Sequence, residues 1–134
     1  MKLTMAVAAS AMLFLAAQGK TTQDGVYTDA QAKRGDAVYG KACASCHAPN
    51  LEGDGQAPSL AGKEFDAEWN DQPLGDLFER IRLTMPADAP GTLKPAEVAD
   101  VVAFLLARGH QPAGAAELPA DAAALKPIKY VATR

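Results

Sequence analysis

Apolar residues recur at helical spacing in three stretches of this chain, and nowhere do they alternate as a half-buried strand would. In the first stretch Ala32, Gly35, Val38, Tyr39 and Ala42 form one narrow stripe, preceded by Thr28-Asp29-Ala30-Gln31, which has the form of a capping box. The pattern predicts a helix over residues 29–42. Gly35 costs such a helix roughly 0.5–1 kcal/mol, so it marks a close crossing with another helix. In the second stretch Leu74, Leu77, Phe78 and Ile81 make the apolar face of a helix over residues 73–83. Asp71 is its expected N-cap, Pro73 suits its first turn, the face continues to Met85, and Pro86 ends it. The third helix starts at Pro95, with Glu97 and Asp100 near its positive end. Val98, Val101, Val102 and Leu105 form its buried face, Phe104 lies on the border, and Gly109 is the expected C-terminal cap.

The connecting segments read differently. Residues 48–62 mix Pro and Gly with Asn50 and Asp54 and form a loop. Residues 63–69 suit a short helical turn with Phe65 and Trp69 on one face. From Gln111 onward Pro112, Gly114, Pro119 and Pro127 stand among alanines, which predicts an extended tail over residues 111–134 packed on the domain, with a short turn at 121–125. No repeat or heptad is visible. The expectation is one all-α domain over residues 28–110, with three main helices, short helical turns and long loops.

Composition changes this picture at the N-terminus. Residues 5–17 carry no charge and follow Lys2, which reads as a secretory signal peptide over residues 1–19. An uncleaved anchor is the rival, though the run is short for a span of about twenty residues. Residues 20–27 are then a flexible leader, and the domain lies in the periplasm. Without residues 1–19 the chain has 12 basic and 16 acidic side chains, a mildly acidic balance that argues against nucleic-acid binding.

The chemistry is concentrated in Cys43-Ala44-Ser45-Cys46-His47, whose two thiols and imidazole have the attachment spacing of a c-type haem. Two thiols three positions apart can each add to one porphyrin vinyl group, and the next residue's imidazole reaches the iron. A zinc site would need a fourth ligand, for which His110 is the conventional candidate. A redox dithiol would normally follow a strand in a βαβ unit, and a disulfide here would close too small a loop to stabilise much. Haem attachment is the stronger reading. With His47 on one side of the iron, Met85 is the natural second ligand, since the other three methionines lie in the leader. His110 is its competitor, and Met85 as mere core packing is the alternative.

With these residues in view, the sequence resembles a class I monohaem cytochrome c over residues 28–109. The likeness rests on Cys43 to His47, the Pro58 to Gly62 loop, Thr84-Met85-Pro86 and the flanking helices. It implies the cytochrome c fold, with Gly35 and Tyr39 crossing Val101 and Phe104, and with the Pro58 carbonyl receiving the His47 ring N–H. Leu60, Trp69, Phe78 and Ile81 are the expected pocket walls around one haem c, with Leu77 beside them. Arg80 and Arg82 are candidates to pair with the haem propionates. The resemblance implies a one-electron carrier rather than an enzyme, exchanging electrons with a periplasmic donor and acceptor such as a dehydrogenase or oxidase. Membrane association is expected only if the leader is kept. A haem sensor or peroxidase with an exchangeable sixth ligand is the alternative function.

Overall fold

The computed structural model describes residues 19–133, so the expected signal peptide over residues 1–19, apart from Gly19, lies outside the described residues. Six α-helices and no named strand occur among them: α1 (Asp29–Ala42), α2 (Ala44–His47), α3 (Lys63–Trp69), α4 (Leu74–Thr84), α5 (Pro95–Arg108) and α6 (Ala122–Leu125). The all-α expectation holds, and α1, α4 and α5 are the three main helices.

Helices α1 and α5 cross at Gly35, where an added Cβ would run into the Asp100 carbonyl oxygen. Only glycine permits that approach, which is why a helix-weakening residue sits mid-helix. One turn further on, Tyr39 and Phe104 pack with their rings tilted at 41° and centroids 5.1 Å apart. Asp100 does more than face the helix dipole: Arg34 donates to both of its carboxylate oxygens at 3.0 Å and reaches Glu117 at 2.9 Å. The fork ties α1, α5 and the tail together.

The starts of two helices differ from the sequence expectation. Thr28 Oγ accepts the Gln31 N–H at 3.1 Å, but Gln31 does not complete a capping box. Its side chain turns inward and pairs with Leu118 instead, because burial makes those backbone groups more demanding than an exposed cap. Asp71 does not cap α4. It adopts φ 64° and donates its N–H to Tyr130, so the helix begins one residue later, with Pro73 as N-cap. At the end of α5, Gly109 is the C-cap as expected, with φ −81°, and the next residue, His110, takes the left-handed conformation at φ 61°. His110 and Gln111 donate to Ala107 and Leu106, closing a Schellman motif.

Residues 20–27 are not free. Thr22 is fully buried and donates to Lys129 at 2.9 Å, while the Tyr27 hydroxyl donates to the Gln111 carbonyl at 2.6 Å. The tail supplies core: Leu118, Leu125, Ile128 and Tyr130 are buried. Lys129 bridges residue 21 on one side and residue 73 on the other. Helix α5 therefore lies under α1, α4 and the tail, with Val98 to Leu106 all buried.

Candidate haem-binding cleft

Helix α1 stops at Ala42, and Cys43 breaks the helical conformation with φ −125°. The chain then makes the single turn α2, in which Cys46 and His47 both donate to the Cys43 carbonyl at 3.1 and 3.0 Å. This turn leaves Cys43 half-buried and Cys46 exposed, both as free thiols. Burial pushes the Cys43 thiol up. The Tyr39 hydroxyl holds the Ala48 carbonyl at 2.6 Å, fixing the exit of the turn, and burial pushes its phenol up to about 12.

The loop after α2 returns beneath His47. Gly53 donates to the His47 carbonyl at 2.9 Å, Leu60 donates to Leu51 at 2.8 Å, and Leu51 is fully buried. Gly53 is required there: φ is 75°, and a Cβ would run into the Ala57 carbonyl. Asp54 accepts the Ala57 and Gln56 N–H groups at 2.9 and 3.0 Å, and these bonds hold its carboxyl below the usual carboxylate range. The loop so formed presents the Pro58 carbonyl 2.8 Å from Nδ1 of the buried His47 ring. A carbonyl can only accept, so Nδ1 carries the proton and Nε2 is left with its lone pair free.

Facing this loop is an apolar wall from three helices: Phe65 and Trp69 of α3, Leu77 and Ile81 of α4, and Val101 and Leu105 of α5. Between them runs a cleft of about 370 Å³ that also meets Cys43, Cys46, His47, Pro58, Leu60 and Met85. Met85 reaches it because α4 ends there, its N–H closing the last turn on Ile81 at 3.0 Å before Pro86.

Eight of the nine predicted site residues thus line one cleft. Phe78 does not: it is buried on the α6 side of α4, and Leu77 takes the cleft-facing position. Arg80 lines the cleft, held by Glu68 at 2.8 Å with its guanidinium 5.1 Å over the Trp69 ring. Arg82 instead points to the α6 side and reaches Glu79 at 3.8 Å. His110 is exposed and away from the cleft, and among the described residues no group of three His, Cys, Asp or Glu could hold a metal ion, so the zinc reading lacks its ligands. Sequence reasoning missed Asp54 and Asp88 at the rim, for which loop composition gives no signal, and it read Val101 and Leu105 only as a buried helix face.

Two thiols, a correctly tautomerised imidazole and a thioether on an otherwise apolar cleft are the donor set of a c-type haem, and the residues fit that group. Comparison with curated proteins and with solved structures gave no match. A family model described as cytochrome c oxidase, cbb3-type, subunit III, matches residues 30–105, which span α1 to α5 and every cleft residue named above. The chain belongs to that family and is a monohaem c-type cytochrome.

Proposed function

We propose that this chain is a one-electron carrier that holds haem c covalently through Cys43 and Cys46, with His47 and Met85 as the axial ligands of its iron. The observation that carries the reading is the single cleft lined by both thiols, the imidazole and the thioether. When bound, haem supplies a one-electron iron couple. The Pro58 carbonyl keeps the proton on Nδ1 of His47 and makes Nε2 a better donor. Met85 as the second ligand raises the reduction potential relative to a second imidazole. Leu60, Trp69, Leu77 and Ile81 exclude water and disfavour the extra positive charge of the oxidised state. None of these groups needs to move when the electron arrives.

The apolar leader behind Lys2 supports export to the periplasm through a signal peptide cleaved near residue 19, which N-terminal sequencing of the mature protein checks. The family's description as an oxidase subunit supports a respiratory redox protein as donor or acceptor, met through a small transient interface. The decisive experiment is an optical spectrum of the purified protein, oxidised and reduced, before and after denaturation. Colour that stays with the denatured chain, and a weak red-end sulfur-to-iron band lost in Met85→Ala, are the expected results. Extractable haem, or a high-spin or bis-histidine spectrum, would overturn the ligand set.

A further inference from the structure

The charge of this chain is unevenly divided. Residues 48–93, which build the His47 loop, α3, α4 and the Met85 loop, carry nine acidic and three basic side chains, while the rest of the chain carries seven and ten. This segment is thus formally −6 and the remaining residues +3, or +2 without Lys2 of the signal segment. Two of its three bases are engaged with acids of the same segment, Arg80 with Glu68 and Arg82 with Glu79.

The cleft mouth repeats the imbalance locally. Asp54, Glu68 and Asp88 border it, and Arg80 is the only cation there among the described residues. Asp54 is kept ionised by two backbone N–H groups, so its charge is fixed in place rather than carried on a mobile side chain. Apolar surface at the opening, bordered by a net excess of acidic charge, has the composition of a docking face, with a core that excludes water and a rim that sets orientation. An excess of acidic charge at the opening also attracts a cation towards it before contact.

We infer that the cleft mouth, bordered by Asp54, Glu68 and Asp88, is a docking face for a lysine- or arginine-rich surface of the redox partner. A second copy of the chain is disfavoured as occupant because its own face carries the same charge. The inference rests on the electron-carrier reading and adds the chemistry of the partner. Neutralising the rim then slows encounter with cations and speeds encounter with anions, most visibly at low salt.

The test uses the holoprotein and two small redox reagents of opposite charge, hexaammineruthenium and ferricyanide, with rates followed from low to high salt. Asp54→Asn combined with Asp88→Asn is the test variant, since the amide introduced at position 54 keeps an oxygen that can accept the loop N–H groups. Asp29→Asn combined with Asp36→Asn, on the exposed face of α1, changes net charge equally at another site. The test variant is expected to lose several-fold in rate with hexaammineruthenium and to gain with ferricyanide, and the control to change little. Decalysine should slow the ruthenium reaction of the wild type and of the control but not of the test variant. Equal effects of both variants, no effect of either, or a wild-type dimer abolished by the test substitutions would overturn the inference. Protein without attached haem would overturn the carrier reading together with it.

Discussion

Gln31 and Leu118 are joined by two hydrogen bonds, from Nε2 to the Leu118 carbonyl at 3.0 Å and from the Leu118 N–H to Oε1 at 2.8 Å. A side-chain amide here imitates a neighbouring strand and holds the tail against α1. Gln31→Leu keeps the volume but leaves both backbone groups of Leu118 buried without partners. The expected loss is about 3 kcal/mol in urea unfolding of the holoprotein. A loss below about 1 kcal/mol would mean that the tail is held by its apolar residues alone.

The two glycines of α1 should respond in opposite directions. Gly35→Ala forces α1 and α5 apart and should cost about 3 kcal/mol, because the obstacle is the Asp100 backbone. Gly40 faces open space, so Gly40→Ala should gain up to about 1 kcal/mol from helix propensity. Thermal melts of the two variants decide whether the crossing or the helix itself limits stability.

His110 occupies the left-handed position of the α5 terminus, where a side chain is strained. His110→Gly should stabilise by about 1 kcal/mol and leave the visible spectrum unchanged. A changed spectrum would make His110 an iron ligand, against its placement outside the cleft.

Gly53→Ala should act on the iron without touching a ligand. The new Cβ displaces the Ala57 and Pro58 carbonyls, lengthening the bond to Nδ1 of His47 and weakening Nε2 as a donor. A weaker donor stabilises the oxidised iron less, so the reduction potential should rise in a spectroelectrochemical titration. An unchanged potential would show that the Pro58 carbonyl does not tune the imidazole.

Alkaline stability should fall in a defined window. The Tyr39 phenol titrates near 10 when unfolded and is pushed up to about 12 in the fold, mainly by burial. Below pH 10 both states keep the proton and stability does not change on this account. Between pH 10 and 12 the unfolded chain releases a proton that the folded one retains, so stability drops as pH rises. Tyr130, raised by burial and by its bond to Asp66, adds to the same decline. Melting temperatures across this window should fall less steeply in Tyr39→Phe.

The three main helices were legible because each carries an apolar stripe at period 3.6, and the grouping of Cys43, Cys46 and His47 was legible because its spacing is chemical rather than conformational. The unread parts depend on partners distant in sequence. Gln31 looks like a capping residue until Leu118 is beside it, and Asp71 looks like an N-cap until Tyr130 claims its N–H. Phe78 and Leu77 are both apolar and adjacent, so which of them meets the cleft is decided by where α6 packs. Residues 20–27 read as a leader because no local pattern reveals that Thr22 pairs with Lys129.

That last pairing sets an order of events. Lys129 sits between residues 21 and 73, so a segment late in the sequence locks two that precede it. A chain emerging from its N-terminus exposes Cys43 to His47, and then Met85, well before the lock can close. The two cysteines are therefore reachable while the domain is still open, and docking of the tail closes it around them.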